Sequence, residues 1–186
     1  MSTQVTGQVT GDPLGESQIL VAIQRAISTT PELRAGTLAV ARGMSHFGEH
    51  ALGWMGLAAA GYVLDKQRST QWLHVGASAF TAHAASVVLK RIVRRPRPHH
   101  KDIAIGVGTP SKLSFPSSHA TSSTAALVAL AQLLGNPAPL IGVPAMALSR
   151  LVLGVHYPTD VAIGSALGAS TALALRPVVN RVVQHT

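Results

Sequence analysis

The hydrophobic positions of this chain do not fall in a stripe at helical spacing. They form five long stretches, 51–64, 72–89, 117–134, 138–155 and 158–175, whose interiors hold almost no Asp, Glu, Lys or Arg, with Arg150 the clear exception. A soluble helix carries a charged face repeating every 3.6 residues or so, and these stretches have none. The expectation is therefore an all-α, polytopic membrane helical bundle with about five spanning helices; the alternative is a soluble all-helical bundle. Each stretch lies near the lower end of the roughly 20 residues an α-helix needs to cross the hydrocarbon core. The first extends backwards through 37–41, at the cost of crossing Arg42, His46, Glu49 and His50. Ala, Gly, Ser and Thr are dense throughout, as suits helices that approach closely where lipid removes the hydrophobic drive to associate. Gly164 and Gly168, with Ala162 and Ala166, read as such a seam.

Ahead of these stretches, Ile19, Leu20, Ile23 and Ile27 share one side of a short helical pattern. It is too short to span, so residues 15–34 are read as an amphipathic segment lying in the membrane interface, separated from the first span by Pro31. Residues 1–14 read as a flexible arm without the basic start and apolar core of a cleaved signal. Residues 35–186 make the membrane domain. Most connections are tight, but 90–116 is long and strongly basic, and long loops in compact domains are often functional.

Composition sharpens this picture. Only 12% of side chains are charged and 47% are hydrophobic, yet the formal charge is +8. Nucleic-acid domains spread Lys and Arg over a solvated surface and rarely reach a mean hydropathy of +0.31, so no nucleic-acid partner is expected. Clustered cations among apolar helices fit anionic headgroups or a phosphorylated lipid at the bilayer surface. Cysteine is absent, which removes disulfide and thiolate chemistry.

If the first span runs from side A to side B, the second ends on A at Lys90, the third begins on A at His119, and the fourth ends on A near His156. Three clusters then meet at one membrane face: Lys90-Arg91-Ile92-Val93-Arg94-Arg95-Pro96-Arg97-Pro98, Phe115-Pro116-Ser117-Ser118-His119, and Ser149-Arg150 through His156 to Asp160. Charged groups near spans are expensive and point to function. These clusters resemble the three signatures of the type-2 phosphatidic acid phosphatase superfamily, which read Lys, six residues, Arg-Pro; Pro-Ser-Gly-His; and Ser-Arg, five residues, His, three residues, Asp. Ser118 stands where the family usually has Gly, where a positive φ would be less comfortable for serine.

The resemblance implies a phosphohistidine mechanism: His156 as nucleophile, Asp160 holding its other ring nitrogen, and His119 protonating the leaving alkoxide and later activating water. Lys90, Arg97 and Arg150 would supply cations around the phosphoryl oxygens, with Ser117 and the amides of Ser118 and His119 at a helix start as further donors. The scheme requires no metal and no cofactor. Arg91, Arg94, Arg95, Lys101 and Lys112 fall outside the signatures and are read as contacts to the membrane surface.

His46-Phe47-Gly48-Glu49-His50 matches an inverted zinc-protease pattern, but no third ligand has an obvious claim. Glu49, His46 and His50 are instead candidates for hydrogen bonds to a sugar headgroup, with a purely structural polar cluster as the alternative. His83 is read as a packed, helix-facing histidine. Ser45 to His50, together with 107–111 and 113–115, is similar to the small decaprenylphosphoryl-5-phosphoribose phosphatases of arabinan-precursor synthesis. That likeness implies a phosphorylated polyprenyl lipid as partner and a ribose 5-phosphate as the hydrolysed group. A polyprenyl pyrophosphate or phosphatidylglycerophosphate phosphatase would use the same catalytic set, and a non-enzymatic anionic-lipid binder would not need His119, His156 and Asp160 together.

Apart from Lys90, Arg97 and Arg150, side A carries Arg34, Arg42, Arg91, Arg94, Arg95, Lys101 and Lys112, and side B Lys66, Arg68, Arg176 and Arg181. The positive-inside bias thus predicts an active site facing the cytoplasm from the plasma membrane. A homo-oligomer is compatible with the sequence.

Overall fold

A computed structural model describes Asp12 and residues 14–184. The expected flexible arm, 1–14, lies outside the described residues apart from Asp12 and Leu14. Seven α-helices follow among the described residues: α1 Ser17–Ile27, α2 Pro31–Gly48, α3 Leu52–Leu64, α4 Ser69–Val93, α5 Ser118–Leu134, α6 Gly142–Val152 and α7 Pro158–Gln184. The only extended pairing described is an isolated bridge between Pro96 and Leu113.

The first expected span, 51–64, is α3 alone, and its backward extension through 37–41 belongs to a separate helix, α2. α2 opens on Pro31, with the Thr30 hydroxyl accepting from the Leu33 N–H. It ends at Gly48, where Glu49 turns extended, and His50 and Ala51 then take positive φ values of 50° and 61° before α3 begins. A non-glycine residue rarely adopts that conformation, and two in succession form a sharp break. The break carries His46, Glu49 and His50 to a helix junction instead of the middle of a span.

α4, α5 and α7 make the heart of the bundle, with α3 against α4 and α2 against α6. Their shared core is built from small residues: Ala58, Ala79, Ala82, Ala125, Ala126, Ala129 and Ala172 surround Trp54, Val75, Leu127 and Leu133. Many large apolar side chains, including Leu64, Phe80, Val88, Ile92, Ile141 and Leu173, are exposed instead. Small inside and large outside is the arrangement of an integral membrane protein, where packing needs close backbones and lipid accepts leucine as readily as the core does. The residues 66–93 and 158–179 are long and apolar enough to cross a bilayer. α3, α5 and α6 are shorter, with 13, 17 and 11 residues.

The small-residue seam is real, but its register differs from the sequence expectation. Gly164 and Gly168 are buried against α5, whereas Ala162 and Ala166 face outward. A Cβ on Gly168 would clash with the Thr121 carbonyl oxygen, so α5 and α7 touch backbone to backbone. The face is Asp160, Gly164, Gly168 and Ala172, one residue every four, which α-helical geometry aligns in a row.

α1 lays its apolar stripe on protein. Leu20 and Val21 pack on Ile103 and Leu151, and Ile23 and Ile27 on the cluster of Ala41, Val152, Leu153 and Val155. Ile19 and Leu14 remain exposed.

Candidate active site

Three chain reversals bring the polar clusters together. α4 ends when Arg94 takes a left-handed φ of 54° and its N–H bonds the Lys90 carbonyl. The chain then runs back beside 112–114: the Ser114 N–H donates to the Arg95 carbonyl and its hydroxyl to that of Pro96. α5 starts at Ser118 with the Ser117 hydroxyl as its N-cap, directly after a cis Phe115–Pro116 peptide. The turn from α6 to α7 passes through Gly154 at φ +68°, where a Cβ would meet the Ala104 oxygen at 2.8 Å; only glycine fits there without strain. His156 follows at once.

The result is one cavity of about 460 Å³ lined by Lys90, Arg97, Arg150, His119, His156 and Ser118, and also by His46, Glu49, His50 and His83. Segment 107–111 forms the facing wall. The three clusters therefore share one cavity, and residues of both segments that carry the closer resemblance line it as well.

Arg97 donates through Nε to the Ser111 carbonyl at 2.8 Å, and through Nη1 to the Val155 carbonyl at 2.7 Å. Nη1 also lies 3.2 Å from His156 Nε2. A guanidinium has no acceptor, so this contact places the ring's lone pair on Nε2 and its hydrogen on Nδ1. Burial first, then the charges of Arg97 and Lys90, hold the His156 ring well below the usual imidazole range, so it is neutral at neutral pH. Burial pushes the Arg97 guanidinium down to about 10, which leaves it cationic. On the far side, His156 Nδ1 is 3.6 Å from Asp160 Oδ2, aligned but longer than a hydrogen bond.

Arg150 is 1% exposed and uses each of its three nitrogens, donating to the Ser149 hydroxyl at 3.0 Å, the Ser45 hydroxyl at 2.9 Å and the Ala41 carbonyl at 3.2 Å. His119 Nε2 lies 2.9 Å from the Ser45 carbonyl, which only accepts, so Nε2 carries a hydrogen and Nδ1 is left for proton transfer. Ser45 thus orients both groups from α2, a role the sequence did not assign, although Ser45 opens one of the segments that carry the closer resemblance. Lys90 Nζ donates to the carbonyls of Leu113, Ser114 and Pro116 at 3.3, 3.0 and 2.7 Å, tying the loop to α4 while keeping its charge at the cavity.

Some expected site residues take other places. Ser117 is buried and caps α5 without lining the cavity. Asp160 lies behind His156, also off the cavity wall. Ser118 needs no positive φ: it opens α5 as part of the helix, and its hydroxyl accepts from Ser86 Oγ at 2.8 Å. His83 lines the cavity, with its ring 5.8 Å from that of His50. Arg95 does not reach for the membrane surface; it is nearly buried and bonded to Asp160, Thr159 and Glu16. Among the described residues no group of three His, Asp or Glu is arranged to hold a metal ion, His46, Glu49 and His50 included.

The PAP2 superfamily pattern matches residues 71–184. The decaprenylphosphoryl-5-phosphoribose phosphatase of Mycolicibacterium smegmatis is 62% identical over 152 residues, 82% of each chain. That of Mycobacterium tuberculosis is 54% identical over 158 residues, 85% of this chain and 87% of its own. In fold, the chain is similar to Aquifex aeolicus LpxE, with a TM-score of 0.66 and 17% identity, covering 90% of this chain and 98% of that one. A Bacillus subtilis transmembrane phosphatidylglycerolphosphate phosphatase aligns with a TM-score of 0.61 and 21% identity, over 92% and 97% of the two chains. A family pattern over most of the chain, relatives sharing more than half their residues, and a cavity where the matched signatures meet have one consequence: the chain belongs to the PAP2 superfamily, as a phosphatase of the decaprenylphosphoryl-5-phosphoribose phosphatase family.

Proposed function

We propose that this enzyme hydrolyses the 5-phosphate of decaprenylphosphoryl-5-phosphoribose, releasing decaprenylphosphoryl ribose and inorganic phosphate, a step in building arabinan precursors for the cell wall. His156 Nε2 attacks phosphorus as the bond to the ribose oxygen breaks, and His119 Nδ1, having taken a proton from the incoming phosphate monoanion, passes it to the departing alkoxide. Water then attacks the phosphohistidine, giving its proton back to His119, and phosphate leaves. Arg97, Arg150 and Lys90 balance the charge on the equatorial oxygens, joined by the N-terminal amides of α5 at Ser118 and His119. Arg97 Nη1, which rests on the nucleophile's lone pair, transfers to a phosphoryl oxygen when substrate arrives. The hydrolytic scheme calls on no metal or cofactor.

One observation carries this reading: a neutral His156 whose lone pair faces the cavity beside an arginine, with a carboxylate behind its other nitrogen. Glu49, His46 and His50 contact the ribose hydroxyls, a role supported by their lining the same cavity as His119. The polyprenyl tail stays in the bilayer. Five crossings, with α3, α5 and α6 as short spans, and a site facing the cytoplasm complete the arrangement, supported by the cations on that side.

The test is phosphate release by purified protein from decaprenylphosphoryl-5-phosphoribose, a polyprenyl pyrophosphate and phosphatidylglycerophosphate, run beside His156→Ala. Preference for either of the last two lipids overturns the substrate, and undiminished turnover by the variant overturns the nucleophile. A reporter tag in the 98–111 loop that labels from outside intact cells overturns the orientation.

A further inference from the structure

The carboxylate behind the catalytic histidine is itself held from outside the family signatures. Asp160 is 0% exposed, and both its oxygens are engaged. Oδ2, the oxygen nearest His156, accepts the Tyr157 N–H at 2.8 Å; Oδ1 accepts from Arg95 Nη1 at 3.0 Å. Arg95 lies across the face of Tyr157, its guanidinium carbon 4.0 Å from the ring centre. Its other arm, Nη2, donates to Glu16 Oε2 at 2.6 Å.

Glu16 closes the circuit. Its Oε1 accepts the Thr159 N–H at 2.7 Å and its Oε2 accepts the Thr159 hydroxyl at 2.8 Å, so a residue preceding α1 caps the first turn of α7 right beside Asp160. Side-chain exposures of 13% for Arg95, 6% for Glu16 and 0% for Asp160 describe a buried triad, one cation between two anions. Arg95 stands within the six-residue spacer of the first signature, where no residue type is specified, and Glu16 lies well outside the matched 71–184.

We propose that Arg95 and Glu16 are positioning residues that clamp Asp160 behind His156, so that the N-terminal helix is a working part of the active site. The inference rests on the reading of His156 as nucleophile. A buried carboxylate without a counter-charge is costly, and removing one member of a buried ion group leaves the others uncompensated. Arg95 offsets that cost and fixes the carboxylate's direction, which in turn keeps the His156 hydrogen on Nδ1 and the lone pair on Nε2. The planar, two-armed guanidinium is required, because a lysine's single point charge cannot hold Asp160 and Glu16 at once.

The test is a double-mutant cycle on the purified full chain, reading kcat and KM for a polyprenylphosphoryl 5-phosphoribose. Arg95→Gln lowers kcat about 10- to 100-fold, as loss of an outer partner of a catalytic ligand does. KM stays within about twofold, because the phosphate contacts remain. On an Asp160→Asn background the same change lowers kcat by less than about threefold, since two residues acting through one another do not add. A full, multiplicative effect on that background, or an unchanged kcat on the native one, overturns the clamp. Should Arg95→Gln fail to fold, Glu16→Gln keeps an amide oxygen for the Thr159 N–H, turns an NH2 toward Arg95 in place of the second acceptor, drops the charge and carries the same cycle, with a kcat loss of about tenfold expected. Native protein without turnover overturns the parent reading and this inference with it, whereas active native protein with insensitive Arg95 and Glu16 variants overturns the clamp alone.

Discussion

The floor and the rim of the cavity are built on different terms. On the floor, Lys90, Arg150 and His156 are 8%, 1% and 3% exposed, and the cations are anchored on backbone carbonyls and serine hydroxyls. On the rim, His46 and His50 are exposed, Glu49 is half-buried, and the side chains of His46 and Glu49 make no hydrogen bond among the described residues. A charged group held rigidly in a dry site is worth most to a transition state, because no reorganisation is needed when charge develops. A loosely held polar group has its hydrogen-bonding capacity in reserve for a ligand. The difference fits the proposed reading, in which the floor serves chemistry any phosphomonoester would share and the rim serves recognition.

Four variants break or sharpen that contrast. His156→Ala on the floor is expected to lower kcat on the order of 10⁵-fold, as loss of a nucleophile does, while a binding assay with vesicles carrying the substrate shows retained affinity. Arg150→Lys gives up the fork that reaches Ser45 and Ala41, and a loss in kcat of roughly 10²-fold is expected from steady-state phosphate release. On the rim, Glu49→Ala is expected to raise KM for the ribosyl lipid about tenfold, the value of one lost hydrogen bond to a charged group, with kcat nearly unchanged. An alkyl phosphate lacking the sugar should be turned over by Glu49→Ala as by the native protein; equal losses on both substrates would assign Glu49 to the floor. The smallest effect belongs to Ser118→Gly. Position 118 is helical, so restoring the residue usual in the family changes kcat by less than about threefold and lowers the thermal midpoint slightly through the lost Ser86 bond.

The floor was readable in advance because its chemistry is tied to local spacing. Lys90 and Arg97, Ser118 and His119, and Arg150, His156 and Asp160 each sit where a helix ends or begins, and apolar stretches on either side locate those ends along the chain. The break at His50–Ala51 was not readable. Neither residue favours a positive φ, so the junction follows from how α2 fits on α6 and α3 on α4, and local preference is overridden. The outward turn of Ala162 and Ala166 was equally hidden: composition marks a small-residue seam, but only contact with Thr121 selects its register.

The partners of the catalytic groups divide the same way. Sequence by itself determined that this is a helical membrane phosphatase whose two histidines, aspartate and three cations lie at helix ends, because apolar length and motif spacing are properties of neighbouring residues. Only the tertiary structure decided that Ser45 orients His119 and Arg150, and that Glu16 reaches Thr159 and, through Arg95, Asp160. These contacts join residues some 70 to 140 positions apart, and a hydrogen bond between distant segments leaves no periodic trace in either of them.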